Sequence, residues 1–356
     1  VAQVASSGDN YSAGSNTGTS SPIVVSSLSN GTSYTAKVWA INAYGTSAPS
    51  DASGSATPAV PVIALKFGGD TTSGNSNVID KVDITTLGDG VDYGDINIAS
   101  SRNAAVGSST RAVLAVGFGA DPKDAISYKE FSSSGNMVDF GDLTVERINA
   151  SAASNETRGI FFGGDPTLVM DYITIASAGN ATDFGDMDGS GESKTTSACA
   201  SPTRAVFFGG DQGSGQSNVI GYVTIGTTGN QNDFGDLLGV SADGAAFGSS
   251  TRGVYCGGSS AAANSQNVIQ YITISSTGNA SDFGDLQAPR KFHSGASSNT
   301  RGLSMSGERT GSQGTRTDEI DYVTIASTGD AADFGNLTIK ESIGRGACSN
   351  AHGGLQ

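Results

Sequence analysis

An all-β fold, a six-bladed β-propeller joined to part of a β-sandwich, is what this sequence predicts. Three observations predict it. A motif of Asp, an aromatic residue, Gly and Asp recurs six times, beginning at Asp92, Asp139, Asp183, Asp233, Asp282 and Asp333, with 44 to 51 residues from one copy to the next; the last copy ends in Asn336. A period of that length, built only from strand and turn signals, is what one four-stranded blade occupies. The composition agrees, with 51 Gly and only 15% charged residues, which suits short strands and tight turns rather than helices. The third observation is a count of strand types, which closes on six.

The elements follow in chain order. The stretch from Ile23 to Pro58 differs in kind from the rest. Asn30-Gly31 signals a turn, Tyr34 begins a strand, and Lys37-Val38-Trp39-Ala40-Ile41-Asn42 continues it. With Leu28 before Tyr34, and Gly45, Ser47 and Ser50 after it, the stretch resembles the last strands of a fibronectin type III domain. The resemblance implies a Tyr34 hydroxyl bonded back to the preceding loop. It covers about half of such a domain, so the chain reads as the C-terminal part of a longer polypeptide; a lone β-hairpin extension is the alternative. The fibronectin-like piece is set at residues 1–57 and the linker at 58–61, the end of the Ser-, Ala- and Pro-rich stretch Asp51 to Pro61. The propeller is set at 62–356.

From Val62 each repeat divides into four strands. An apolar run ends in paired glycines, as in Ile160-Phe161-Phe162-Gly163-Gly164 and Val206-Phe207-Phe208-Gly209-Gly210. An alternating strand follows, such as Val219 to Ile225, then a turn such as Thr228-Gly229-Asn230, then the short Asp-Phe-Gly-Asp strand. Last comes a small-residue strand such as Ala245 to Ser249, leading to an arginine: Arg111, Arg158, Arg204, Arg252 or Arg301. Small residues fit the crowded axis, so this strand is expected innermost, and the unbroken apolar run is expected between blades, buried on both faces. The first repeat lacks an inner strand, and Glu341 to Asn350 supplies one. The first blade is then closed by the C-terminal strand, which removes exposed edges. His352-Gly353 holds the Arg-Gly position, which leaves room for a seventh blade after Gln356.

The paired glycines, the Tyr and the aromatic residue that follows it resemble the kelch repeat, with Phe or Tyr in place of its usual Trp. The second repeat (Gly117-Phe118-Gly119) and the last (Ser306-Gly307) lack the adjacent glycine pair. The resemblance implies the propeller fold and carries no partner chemistry.

Spacing separates two faces. From the Tyr of the alternating strand (Lys81 in the first repeat) to the next motif Asp is 11 residues throughout, whereas the second glycine lies 8 to 15 residues before that Tyr. From that Asp to the Arg (His352 at the end) is 19 residues in five repeats and 21 in one, so length variation is concentrated in the loops between second and third strands: Asp70 to Asn77, Asp211 to Ser217, Ser259 to Gln266 and Glu308 to Thr317. Insertions on one face of a repeat protein mark a binding face, and drift in unselected loops is the plainer account. The candidate binding residues are Asp70, Thr71, Asp211, Gln212, Ser259, Asn264, Gln266, Glu308, Arg309 and Arg316. The recurring Asp139, Asp183, Asp233, Asp282 and Asp333 and the arginines Arg111, Arg158, Arg204, Arg252 and Arg301 are read as structural, meeting in ion pairs on the uniform face.

Catalytic chemistry is thinly represented. Asp-Phe-Gly is a metal-binding motif in protein kinases, but there it occurs once; its repetition here marks a frame. His293 and His352 are the two histidines, far apart, and no carboxylate pair stands out for glycoside hydrolysis. No enzyme activity and no cofactor are expected. Asp186-Met187-Asp188-Gly189-Ser190-Gly191-Glu192 offers oxygen ligands at alternate positions for Ca²⁺, without the full 12-residue loop. Cys199, Cys256 and Cys348 have no metal-ligand spacing and read as small buried hydrophobes. A net charge of −15 argues against nucleic acid, and no apolar run is long enough for membrane insertion.

Two segments, Gly-Asn-Ala-Thr-Asp-Phe-Gly-Asp (Gly179 to Asp186) and Ser-Ser-Thr-Arg-Gly-Val (Ser249 to Val254), resemble repeats in structural proteins of tailed phages that infect marine cyanobacteria. The resemblance spans most of residues 62 to 350. It implies a virion protein, a tail fibre or appendage displayed at the particle surface. Implied partners are other virion subunits, a host-surface glycan or protein, and further copies of the chain, as in a trimer. A purely structural decoration or cement protein is one alternative. A secreted or cell-surface bacterial adhesin or carbohydrate-active protein is the other.

Overall fold

The structure, a computed structural model, describes residues 2–5, 13–16, 18, 20, 23–26, 28–29, 32–189, 196–213, 215–309 and 315–355. It is all-β apart from a single 3₁₀ turn at Gly353–Leu355, among the described residues, and divides into two compact units, Val1–Pro61 and Val62–Gln356.

In the first unit, Ala13–Asn16, Ala2–Ala5 and Thr35–Val38 form a three-stranded antiparallel sheet, and Ile41–Asn42 pairs with Gly45–Thr46. Tyr34 is buried, and its hydroxyl accepts a hydrogen bond from Ser29 N at 3.1 Å. Beyond the hairpin, serines recur every third residue. Ser47, Ser50 and Ser53 donate their N–H groups to the carbonyls of Ala40, Val38 and Ala36. Their hydroxyls accept from the N–H groups of those same residues at 2.9–3.1 Å. Three residues per turn is the polyproline II period, so the serine spacing makes a hydrogen-bonded edge without a regular strand. Tyr34 also pairs with Ala56. The start of the Ser-, Ala- and Pro-rich stretch, as far as Ala56, is thus bonded along the edge of this sheet, ahead of the linker set at 58–61.

In the second unit the described residues form four four-stranded sheets and one nine-stranded sheet, arranged round an axis like the blades of a propeller. Within the nine strands lie two further four-strand sets, Ala245–Gly248 to Ser281–Lys291 and Ser294–Ser297 to Ala332–Glu341, joined by Glu308–Arg309. The small-residue strands Ala104–Gly107, Ser151–Ser154, Ser197–Ala200, Ala245–Gly248, Ser294–Ser297 and Ala347–Ser349 are innermost, each beside the next, with the last beside the first. Ala347–Ser349 completes the sheet that begins at Ile63–Thr71, pairing with Ala64, Leu65 and Lys66. After it the chain turns across the axis instead of starting another strand; His352 Nε2 bonds to Gly107 O at 2.9 Å.

The core lies between adjacent sheets. Ile160, Phe162 and Phe184 of one sheet pack on Ala205, Phe207 and Val223 of the next, with Phe162 and Phe207 at 5.2 Å between centroids. The first sheet packs on both neighbours, Leu65 and Phe67 against Leu114 on one side, and Ala64 and Val82 against Leu303 and Phe334 on the other. Full burial of a Phe or Leu side chain is worth about 1.5–3 kcal/mol, so the apolar run ending in glycines is the main cohesive element.

The repeat motif fastens the rim. Phe140 O accepts from Gly179 N (2.7 Å), Asp142 O from Ala181 N (2.8 Å), and Asn180 Oδ1 from Asp142 N (3.2 Å). The same pattern joins Phe334 O to Gly88 N and Asn336 O to Gly90 N, last sheet to first. The motif glycine lets the neighbouring turn come this close. Gly141 has φ +146°, and a Cβ there would lie 2.5 Å from Gly179 O.

Candidate binding face and channel mouth

The two ends of the ring differ. At the uniform end each repeat arginine lies over the tyrosine of its own sheet, with 4.2–4.8 Å from guanidinium carbon to ring centroid. Each tyrosine meets the motif phenylalanine edge-on at 5.8–6.0 Å. Arg111, Arg158, Arg204, Arg252 and Arg301 each donate from Nη1 to an isoleucine carbonyl of the following sheet, Ile175, Ile225, Ile274, Ile325 and Ile84, at 2.7–3.0 Å. The expected pairing of these arginines with Asp139, Asp183, Asp233, Asp282 and Asp333 is therefore corrected: no such ion pair exists among the described residues. The aspartates are exposed at the rim, and Asp183 accepts from the N–H of its own motif Gly185. An arginine beside both an aromatic face and a desolvated carbonyl satisfies cation–π attraction and a charge-assisted hydrogen bond at once, which an exposed aspartate cannot match.

The variable end is polar and cross-linked. Two of its loops are hairpins rather than free loops. Asp70 and Thr71 pair with Asn75 and Gly74, and Glu308 and Arg309 pair with Arg316 and Thr315. Arg316 bonds Asp70 across the ring closure at 2.5 Å, Arg309 pairs with Glu319, and Glu308 lies 3.7 Å from Lys291. Lys291 Nζ also donates to Asn264 Oδ1 at 2.7 Å. Asp211 caps its own turn through Gly213 N, and Gln212 N bonds Gly215 O. Ser259, expected at the surface, is buried, and it donates to Asp243 Oδ2 (3.0 Å) while accepting from Gln216 Nε2 (3.2 Å). Gln266 Oε1 accepts from Ser241 Oγ at 3.0 Å. Asp70, Ser259, Asn264, Glu308, Arg309 and Arg316 thus join neighbouring sheets, whereas Thr71, Asp211 and Gln212 are bonded within their own turns and Gln266 within its own sheet.

These contacts connect to the mouth of the axial channel through Asp243, which bonds both Ser259 and the channel-lining Arg345; none of the ten candidate residues is among the lining residues themselves. Two cavities of about 50 and 60 Å³ follow one another along the inner strands. Both are bounded by one ring of small residues, Ala105, Ala152, Ala198, Ala246, Gly295 and Ala347. His352 and Gly353 line the cavity at the uniform end. Asn103, Thr196, His293 and Arg345, each just before an inner strand, line the cavity at the variable end. Nearby the backbone repeats an unusual conformation: Arg102, Asn149, Asp243, Phe292 and Ile343 have φ of 54–64°. For a non-glycine residue this costs roughly 1–2 kcal/mol, and such strain gathers where a site is shaped.

The mouth was missed from sequence, although a signal existed. Aligned by strand pairing, with Gly346 opposite Phe67, His293 and Arg345 stand where the other repeats carry the neutral Asn103, Ala150, Thr196 and Gly244. His293 is buried, its Nδ1 beside Ser304 Oγ (2.7 Å) and its Nε2 beside Cys256 O (3.1 Å). A carbonyl only accepts, so Nε2 carries the proton. Burial, and then the nearby Arg290, lower the His293 pKa to about 3, so it is neutral near pH 7 with both nitrogens engaged. That leaves it no role as a general base. Burial likewise pushes the Cys199 and Cys256 thiols up to about 12 and the Cys348 thiol upward, so all three are protonated and unreactive. Of the calcium candidate, residues 190–192 lie outside the described residues; among those described, no three His, Cys, Asp or Glu side chains gather as metal ligands.

Buried charges also fasten the sheets, again unforeseen. Arg147 pairs with Asp171, Lys66 with Glu341, and Arg290 with Asp321 at 3.0 Å, all across a sheet boundary. No protein-family model matches this chain, and neither does any curated protein sequence.

Proposed function

We propose that this protein is a structural component of a tailed-phage virion, a fibre or appendage. In this reading residues 62–356 are a six-bladed, kelch-like propeller, residues 1–57 are the C-terminal part of a fibronectin type III-like domain, and the variable end contacts a host-surface glycan or protein. The observation that carries it is the contrast between the two ends. One end repeats the same Arg–Tyr–Phe stack and carbonyl contacts from sheet to sheet; the other gathers unlike polar residues, hairpins and strained backbone around a cavity. Repetition serves stability, and departure from it at one end serves recognition. Six inner strands and six motif copies support the blade count, and the Tyr34–Ser29 hydrogen bond supports the fibronectin-like piece.

The role read here is binding rather than catalysis, because the histidine and thiols at hand are buried, engaged and unsuited to proton transfer near pH 7. The test is adsorption of the fluorescently labelled full chain to cyanobacterial cells. A variant with Ser260 to Asn264 cut to a two-residue turn is the comparison. Loss of saturable adsorption in the variant, with unfolding unchanged, is expected. Equal adsorption by both, or none by either, would overturn the reading. A decoration or cement role is favoured by one observation: Arg316–Asp70 and Arg309–Glu319 neutralise one another, which suits a face covered by another subunit. Binding to purified particles but not to cells would select it.

A further inference from the structure

The orphaned donors of Arg345 mark a binding site that the loop pattern does not reveal. The Arg345 side chain is 6% exposed, and Nη2 pairs with Asp243 Oδ1. Its Nε and Nη1 are buried with no hydrogen-bond partner, the only cation among the described residues with two such atoms. A guanidinium N–H left unpaired in a buried setting costs a few kcal/mol unless something accepts from it, and Arg345 lines the 50 Å³ cavity at the channel mouth.

The other polar groups there do not supply that acceptor. His293 is occupied by Ser304 and Cys256. Asn103 Oδ1 accepts from Ser100 and Gly117 N, and its Nδ2 donates to Phe67 O and Ser100 O. Ser151 and Thr196 bond one another at 2.8 Å. The titratable groups acting on Arg345 are Asp243, which balances it, Tyr255, which burial keeps protonated and neutral near pH 7, and Arg102, which adds a second positive charge. Arg102 lies over the Phe118 ring at 5.0 Å and has no carboxylate partner within salt-bridge distance among the described residues. The mouth therefore carries about one net positive charge on a chain of net charge −15.

We propose that the channel mouth binds a single carboxylate group, accepted by Arg345 with Arg102 supplying the balancing charge. Size and charge choose the ligand. About 50 Å³ holds a few waters or one small anionic group, not a whole sugar ring. One net positive charge suits a monoanion, whereas a phosphate dianion would face the neighbouring Asp243 unbalanced. On the attachment reading, on which this step rests, the carboxylate belongs to an acidic sugar of a host-surface polymer, with its ring lying outside the mouth.

Calorimetric titration of the full chain with glucuronate, glucose and acetate tests this. Saturable binding of glucuronate, none of glucose, and weaker binding of acetate are expected. Arg345→Lys keeps a charge for Asp243 but removes the guanidinium donors, and should weaken glucuronate binding at least tenfold. If that variant does not fold, Arg102→Gln decides instead, with a several-fold loss expected. Acetate binding as tightly as glucuronate would keep the site but overturn the sugar as its source. No binding by any probe, glucose binding equally well, or affinity unchanged in the folded Arg345→Lys variant (or in Arg102→Gln, when Arg345→Lys does not fold) would overturn the site. Adsorption to cells without glucuronate binding would overturn it while sparing the attachment reading, and glucuronate binding without adsorption would do the reverse.

Discussion

Single atoms decide several features of this ring. The motif glycine is one. At Gly141 a methyl group would stand 2.5 Å from Gly179 O with φ at +146°, so Gly141→Ala combines a backbone clash with an unfavourable conformation. A loss of about 2–3 kcal/mol is expected in urea denaturation. Gly179→Ala is the control, since φ is +155° but nothing lies within 4 Å of the new Cβ; about 1 kcal/mol is expected there. Equal losses would refute the clash. His293 gives a pH signature. Its folded pKa of about 3 lies below the unfolded value of 6.5, so between these values the unfolded state binds more protons and stability falls as pH falls. Relative to His293→Gln, the native chain should lose about 3 kcal/mol more between pH 6.5 and pH 4. Parallel pH profiles for the two chains would contradict this. Sequence made the recurring Asp and Arg visible but not their partners. The Arg–Tyr–Phe stack joins residues on three strands of one sheet, and only strand register brings those positions together.

Strands and their boundaries form the next scale. The order of strand types was legible because small, apolar and alternating patterns each answer to a different burial. The hairpins at Asp70–Asn75 and Glu308–Arg316 were not, since polar residues in an extended hairpin carry no periodic burial. Nor were the boundary ion pairs, although Arg147 and Arg290 stand at the same distance after Asp139 and Asp282. Their partners, Asp171 and Asp321, each precede the repeat tyrosine. That complementarity appears only when the repeats are aligned position by position. Breaking such a pair differs from replacing it. Asp171→Ala leaves the fully buried Arg147 guanidinium uncompensated and should cost about 3–5 kcal/mol. Arg147→Met with Asp171→Leu removes both charges and should recover most of that loss. A double variant as unstable as the single one would mean that the pair contributes net stability beyond mutual compensation.

At the scale of the whole ring, closure is the property that sets this chain apart from an open stack of repeats. In an open array each unit contacts only its neighbours, and losing the end of the last one removes little beyond its own contacts. Here the C-terminal strand pairs with Ala64, Leu65 and Lys66, and Cys348 packs in the same cluster as Leu65 and Leu114. The strand thus belongs to the first sheet and lies beside the last one's inner strand. Counting strand types foresaw this closure, because a missing inner strand at one end and a spare one at the other need no knowledge of side-chain contacts. Removing residues 346–355 should therefore act on both termini of the ring. It bares the Ile63–Thr71 edge and takes one wall from the axial channel, leaving first sheet and last joined by the Ala64–Leu303 packing, the Gly88–Phe334 rim bond and side-chain links such as Arg301 to Ile84 O. Thermal unfolding followed by circular dichroism, with size-exclusion chromatography, is the measurement. The intact chain should melt its Val62–Gln356 unit in a single cooperative transition. The shortened chain should melt at least about 10 °C lower or associate through the bared edge. Adding a peptide of residues 344–355 should restore part of the loss by pairing with that edge. A shortened chain that stays monomeric with an unchanged transition would mean that the sheets hold together without closure, as independent neighbours do in an open array.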